Sequence, residues 1–95
     1  MTAKKLPEYL KLNDDGSINI TLSRAITVNS ATLGYVTMRE PSVNDHLVGR
    51  RTAGTEEDKE IALFGNLCTL TPADIGNVKL RDYVRMQEAY ACFTD

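Results

Sequence analysis

The chain has 95 residues, 42% of them hydrophobic, 25% charged and 6% aromatic, with a formal net charge of −2: one ordinary domain with a single modest core. Non-specific nucleic-acid binding needs several Lys or Arg facing phosphates, and the slightly acidic balance argues against it. No apolar run approaches the roughly 20 residues of a membrane span, and Met1 to Pro7 opens basic without the apolar core of a signal peptide, so the expected location is the cytoplasm.

Residues 1–16 read as an arm and a turn: Pro7 interrupts any early helix, and Asn13-Asp14-Asp15-Gly16 is strong turn chemistry. Residues 17–95 read as one α+β domain. From Ile18 the apolar residues alternate, Ile18, Ile20 and Leu22 against Asn19, Thr21 and Ser23, which is the period of a strand. A second strand-like run follows from Ala31, and Asn29-Ser30 between the two fits a two-residue hairpin turn, so the expectation is an antiparallel β-hairpin over about 17–40. Pairing outward from that turn sets Ile26 opposite Leu33 but misaligns Leu22. One extra residue near Arg24-Ala25 would set Leu22 against Val36 and Ile20 against Met38, so a β-bulge is expected there.

The pattern changes at Arg39-Glu40-Pro41-Ser42. Pro41 cannot extend a ladder and Ser42 is a good helix N-cap. A short helix is expected over about 43–53, with Val43 and Leu47 inward, Gly49 as its weak point and Gly54 as its stop. Thr55 caps a second helix, about 56–70, whose first turn carries Glu56, Glu57 and Asp58 where the helix dipole favours negative charge. Its later half is apolar almost all round, the mark of a central core helix. Thr71-Pro72 opens a helical turn at 72–76, and a last helix spans about 80–93 with Leu80, Tyr83, Met86, Tyr90 and Phe93 in one stripe.

Nothing in this order resembles an active site, and the expectation is that the protein is not an enzyme and takes no cofactor and no metal. His46, the only histidine, follows Asp45, but helical neighbours point about 100° apart and support each other poorly. Cys68 and Cys92 fall within apolar helical patterns and read as reduced and buried; two cysteines and one histidine do not make a zinc site. The six glycines are dispersed, so there is no phosphate loop. The Tyr83, Met86, Tyr90 and Phe93 stripe has two readings that the sequence leaves open, plain core or a groove for a protein partner, Met suiting variable partners. Arg39, Glu40, Asp45 and Asp82 read chiefly as ion pairs bracing the strand-to-helix corner.

One set of residues stands out by order and spacing: Arg24 to Asn29 entering the turn, Arg39, Glu40, Pro41 and Ser42 with Asp45, then Glu60, Asn66-Leu67-Cys68, and Leu80 with Asp82 and Tyr83. Over roughly residues 18–90 this set resembles the small tail assembly chaperones of contractile-tailed phages and Mu-like prophages. It departs from the family pattern at Ser30, where Gly is common, and at Ala25, where Pro is common. The resemblance implies a non-enzymatic protein of the bacterial host cytoplasm that binds the tape-measure protein and keeps it soluble during tail assembly. It also implies a frameshift-extended form of the chain as a further partner, with neither nucleic acid nor membrane involved. The rival readings are a structural tail component retained in the virion and a small DNA-binding regulator.

Overall fold

The computed structural model describes residues 5–94. Three antiparallel strands, β1 (Leu10–Leu12), β2 (Ile18–Val28) and β3 (Ala31–Met38), form a sheet in the order β1-β2-β3. Four helices follow: α1 (Val43–Arg51), α2 (Glu56–Cys68), α3 (Pro72–Gly76) and α4 (Leu80–Phe93). The α+β architecture is therefore as the sequence implies, with one strand more than the expected hairpin. That strand comes from the first sixteen residues, where Leu10 turns into the core and the Asn13–Gly16 turn returns the chain to β2. Residues 1–4 of the expected arm lie outside the described residues.

The β2–β3 hairpin closes through Asn29 and Ser30 at φ 49° and 69°, the paired left-handed conformations of a type I′ turn. Ser30 thus adopts the conformation that Gly fills more easily. Below the turn the ladder breaks where the sequence places a bulge, but the slip is larger than one residue. Ile26 faces Leu33 while Thr21 already faces Tyr35, so Leu22 to Ala25 on β2 stand against Gly34 alone. As a result Ile20, not Leu22, lies opposite Val36, and Ile18, not Ile20, opposite Met38. The expected one-residue register is corrected accordingly; Ile18, Ile20 and Leu22 share the core face at even steps, and beyond the bulge Ile26 returns to it.

The core lies between that face and the helices. Phe64, Leu67 and Cys68 of α2, Ile75 of α3, and Met86 and Ala89 of α4 close over Leu10, Ile18, Ile20, Val36 and Met38. Each long helix buries the side its sequence allows. In α2 a left-handed residue, Thr69 at φ 58°, ends the helix and lets the Leu70 N–H return to the Gly65 carbonyl at 2.9 Å. A Cβ on Gly65 would stand 2.6 Å from the Leu70 carbonyl oxygen, so only glycine permits this closure. In α4 the buried line is Asp82, Met86 and Ala89, and Leu80, expected in the stripe, is 78% exposed at the helix start.

Helix α1 corrects the sequence reading most. It packs chiefly on α2, and the residues it turns from solvent are Asp45, Gly49 and Thr52, spaced four and three apart, with Gly49 meeting α2. Gly49, expected as a weakness, is the point of approach: a Cβ there would lie 3.4 Å from Leu63 Cβ. Val43 and Leu47, expected inward, occupy the opposite side, and Val43 is 77% exposed.

Candidate partner-binding surface

The residues that resemble the family set fall into two separate places. At the strand-to-helix corner the Arg39 guanidinium donates two hydrogen bonds to the Asp45 carboxylate, at 2.7 and 2.8 Å. Asp45 also accepts from the Ser42 N–H at 2.8 Å while Ser42 Oγ accepts from the Asp45 N–H at 3.2 Å, a reciprocal cap that starts α1 just after Pro41. The Arg39 guanidinium, then the bonds from Ser42, hold the Asp45 carboxyl well below the usual carboxylate range. Glu40 lies apart from this pair, its carboxylate against the backbone of Gly16 in the first turn.

Asp82 does not belong to the corner. It is wholly buried on α4, where its carboxylate accepts the backbone N–H groups of Ser23 at 2.8 Å and Arg24 at 3.2 Å. These are groups of the wide bulge of β2. Arg85 stands 3.8 Å from the same carboxylate and donates to the Thr21 carbonyl at 2.7 Å. Burial pushes the Asp82 carboxyl up, but the bonds from Ser23 and Arg24 and the charge of Arg85 outweigh it and leave it below its ordinary value. Asp82 is thus the anchor that ties α4 to the irregular part of the sheet.

The aromatic stripe of α4 is largely interior. Met86 is wholly buried and offers no surface. Phe64 of α2 packs between Tyr83 and Tyr90, with ring centroids 5.8 and 5.7 Å away. The Tyr83 hydroxyl donates to Glu60, which also accepts from Gln87 Nε2 at 2.9 Å. Partial burial and the Glu60 carboxylate push the Tyr83 phenol up. Tyr90 borders a shallow groove beside His46, Gly49, Lys59 and Leu63, and Phe93 lines another with Leu6, Leu12 and Cys92.

Apart from Leu12 in the Phe93 groove and Tyr35 on β3, the exposed large apolar residues are elsewhere. Val43, Leu47 and Val48 stand on the outer side of α1, and Leu80 and Val84 on the first turns of α4. The sequence held one signal for α1: Asp45, Gly49 and Thr52 form an inward line as regular as that of Val43 and Leu47, and a mid-helix glycine marks close approach.

The Asp45 carboxylate is engaged by Arg39 and Ser42 rather than by His46. Burial pushes the Cys68 thiol up to about 12, which leaves it protonated and unreactive, and Cys92 is also free of any disulfide. Among the described residues no cluster of three or more His, Cys, Asp or Glu could hold a metal ion, and no helix is long and apolar enough to cross a membrane.

A family model described as phage tail assembly chaperone proteins, E, or 41 or 14, matches residues 19–95. The chain belongs to that family. Neither a curated protein nor a solved structure matches it. The match takes in the hairpin, the corner and every helix, so both the Arg39–Asp45 pair and the Asp82 anchor fall within the family region of this chaperone.

Proposed function

We propose that the chain binds the tape-measure protein of a phage or Mu-like prophage and keeps it soluble during tail assembly, acting in the cytoplasm of the bacterial host without catalysis. Membership of the tail assembly chaperone family, over residues 19–95, carries this reading. The apolar side chains that α1 turns outward, Val43, Leu47 and Val48, support it: a chaperone of long amphipathic helices needs apolar surface to lend to its client. Tyr83, Tyr90 and Phe93, only partly buried, are the portion of the α4 stripe that can add to such a contact. A frameshift-extended form of the chain is a second partner under this reading.

Co-expression with the tape-measure protein tests it. The expected result is that the long protein becomes soluble and co-purifies with the chaperone, and that Val43→Glu with Leu47→Glu lowers the recovered complex roughly tenfold while the fold is kept. A tape-measure protein that stays insoluble, with this chain recovered alone, overturns the reading for this form. Recovery of the chain from purified virions would instead make it a tail component.

A further inference from the structure

The two edges of the sheet are built differently. The β1 edge is three residues long, carries Lys11 and follows Pro7, all features that discourage another strand from pairing. The β3 edge is eight residues long and contains no charge and no proline. Its backbone polarity can be read from the neighbouring ladder. The Thr21 N–H donates to the Tyr9 carbonyl, so Thr21 turns its backbone toward the β1 side. Tyr35, opposite Thr21, therefore points its own N–H and C=O away from β2, and Thr37, opposite Asn19, does the same. Arg39 is in step with these two, and its N–H is taken by the Leu67 carbonyl at 3.0 Å. Among the described residues no other backbone bond reaches this edge.

Beside Tyr35 and Thr37 runs an open groove of about 390 Å³, with Cys68, Thr69 and Leu70 on its far side. We propose that this groove is a strand-addition site, in which a short extended, uncharged segment of a partner protein pairs with the outer edge of β3 at Tyr35 and Thr37. The chemistry of the slot selects that occupant. Unpaired N–H and C=O groups in alternation recognise an extended backbone. The walls hold no Asp, Glu, Lys, Arg or His, so a charged side chain entering the slot would find no counter-charge. The Leu67–Arg39 bond closes one end and the Asn29-Ser30 turn the other, while the end of α2 stands alongside. That leaves room for one short strand rather than for the sheet and helices of a second copy.

Amide hydrogen exchange of the intact chain, read by NMR with and without the peptide acetyl-Thr-Val-Thr-Val-Thr-amide, tests the site. In the free protein Tyr35 and Thr37 are expected to exchange rapidly while Val36 and Met38 are protected. Saturating peptide is expected to slow Tyr35 and Thr37 roughly tenfold or more. Thr37→Pro removes an outward N–H, which an edge strand tolerates, together with the exposed hydroxyl bond to Asn19 at 2.7 Å, and is expected to abolish that protection with a small fall in Tm. Protected Tyr35 and Thr37 amides in the dilute free chain, or an unchanged pattern with peptide, overturn the proposal. Protection that grows with protein concentration alone also overturns it and assigns the edge to a second copy. Should Thr37→Pro fail to fold, the wild-type exchange pattern decides the matter unaided.

Discussion

Asp45 and Asp82 are both carboxylates held below their ordinary ionisation range, but they do opposite kinds of work. Asp45 sits at the surface and closes a local circuit with Ser42 and Arg39, residues three and six positions away. Asp82 is 0% exposed and reaches Ser23 and Arg24, 59 and 58 positions away. The first organises a turn in the chain; the second joins the last helix to the one part of the sheet whose ladder is broken. A buried carboxylate costs desolvation and persists only where its oxygens are fully used, whereas an exposed ion pair remains open to water and salt. The difference teaches where this fold stores its cooperativity: in the bulge and α4, not at the corner.

The largest expected effect follows. Asp82→Ala takes from the Ser23 and Arg24 N–H groups their buried acceptor and is expected to cost about 3 kcal/mol, seen as a lower Tm and faster exchange at Ser23 and Arg24. Acid should narrow the gap between this variant and the wild type. The folded carboxyl lies below 3.8, so its contribution is present above that pH and is lost as pH falls through the folded value. Arg85 is the charged side chain that faces this carboxylate, at 3.8 Å. A variant as stable as the wild type at neutral pH would show that the bulge does not depend on α4.

The same local-against-distant division decides what the sequence revealed. Ser42, Thr55 and Thr71 each begin a helix with an Asp three residues on, and all three form reciprocal caps, because the signal and its partner lie within one turn. Asn29-Ser30 likewise declares its turn. The bulge was legible in position but not in width: the hairpin alone suggests one extra residue, while Asp82, far along the chain, accepts the N–H groups of the wider loop. The face of α1 was ambiguous for a related reason. Val43 and Leu47 repeat at helical spacing, as do Asp45 and Gly49, and only the closeness of α2 at Gly49 selects which line turns inward. In α4 the aromatic stripe was visible, but its phase relative to the core turned on Asp82, a residue that hydropathy places outside. The edge of β3 was equally hidden, since its free groups depend on which residues of β2 turn toward β1.

The corner should respond far less. Asp45→Ala removes the reciprocal cap and the partner of Arg39 together, and is expected to cost about 1 kcal/mol, with loss of protection confined to the start of α1. Comparing its Tm shift with that of Asp82→Ala under identical conditions measures the contrast directly; equal losses would break it.

Arg39→Lys separates the two parts of that smaller loss and is expected to have the least effect of all. Lysine keeps a positive charge near Asp45 but cannot make the paired, planar contact at 2.7 and 2.8 Å. The Arg39 side chain is half exposed, and an ion pair in that setting contributes about 0.5 kcal/mol, less still as salt rises. The substitution also leaves the backbone N–H at this position free to bond Leu67, so the join between β3 and α2 is retained. Denaturation at low and at high salt should therefore show a small deficit that closes as salt is added. If Arg39→Lys instead matches Asp45→Ala at every salt concentration, the paired guanidinium contact rather than the helix cap holds the corner, and the local circuit is an electrostatic one after all.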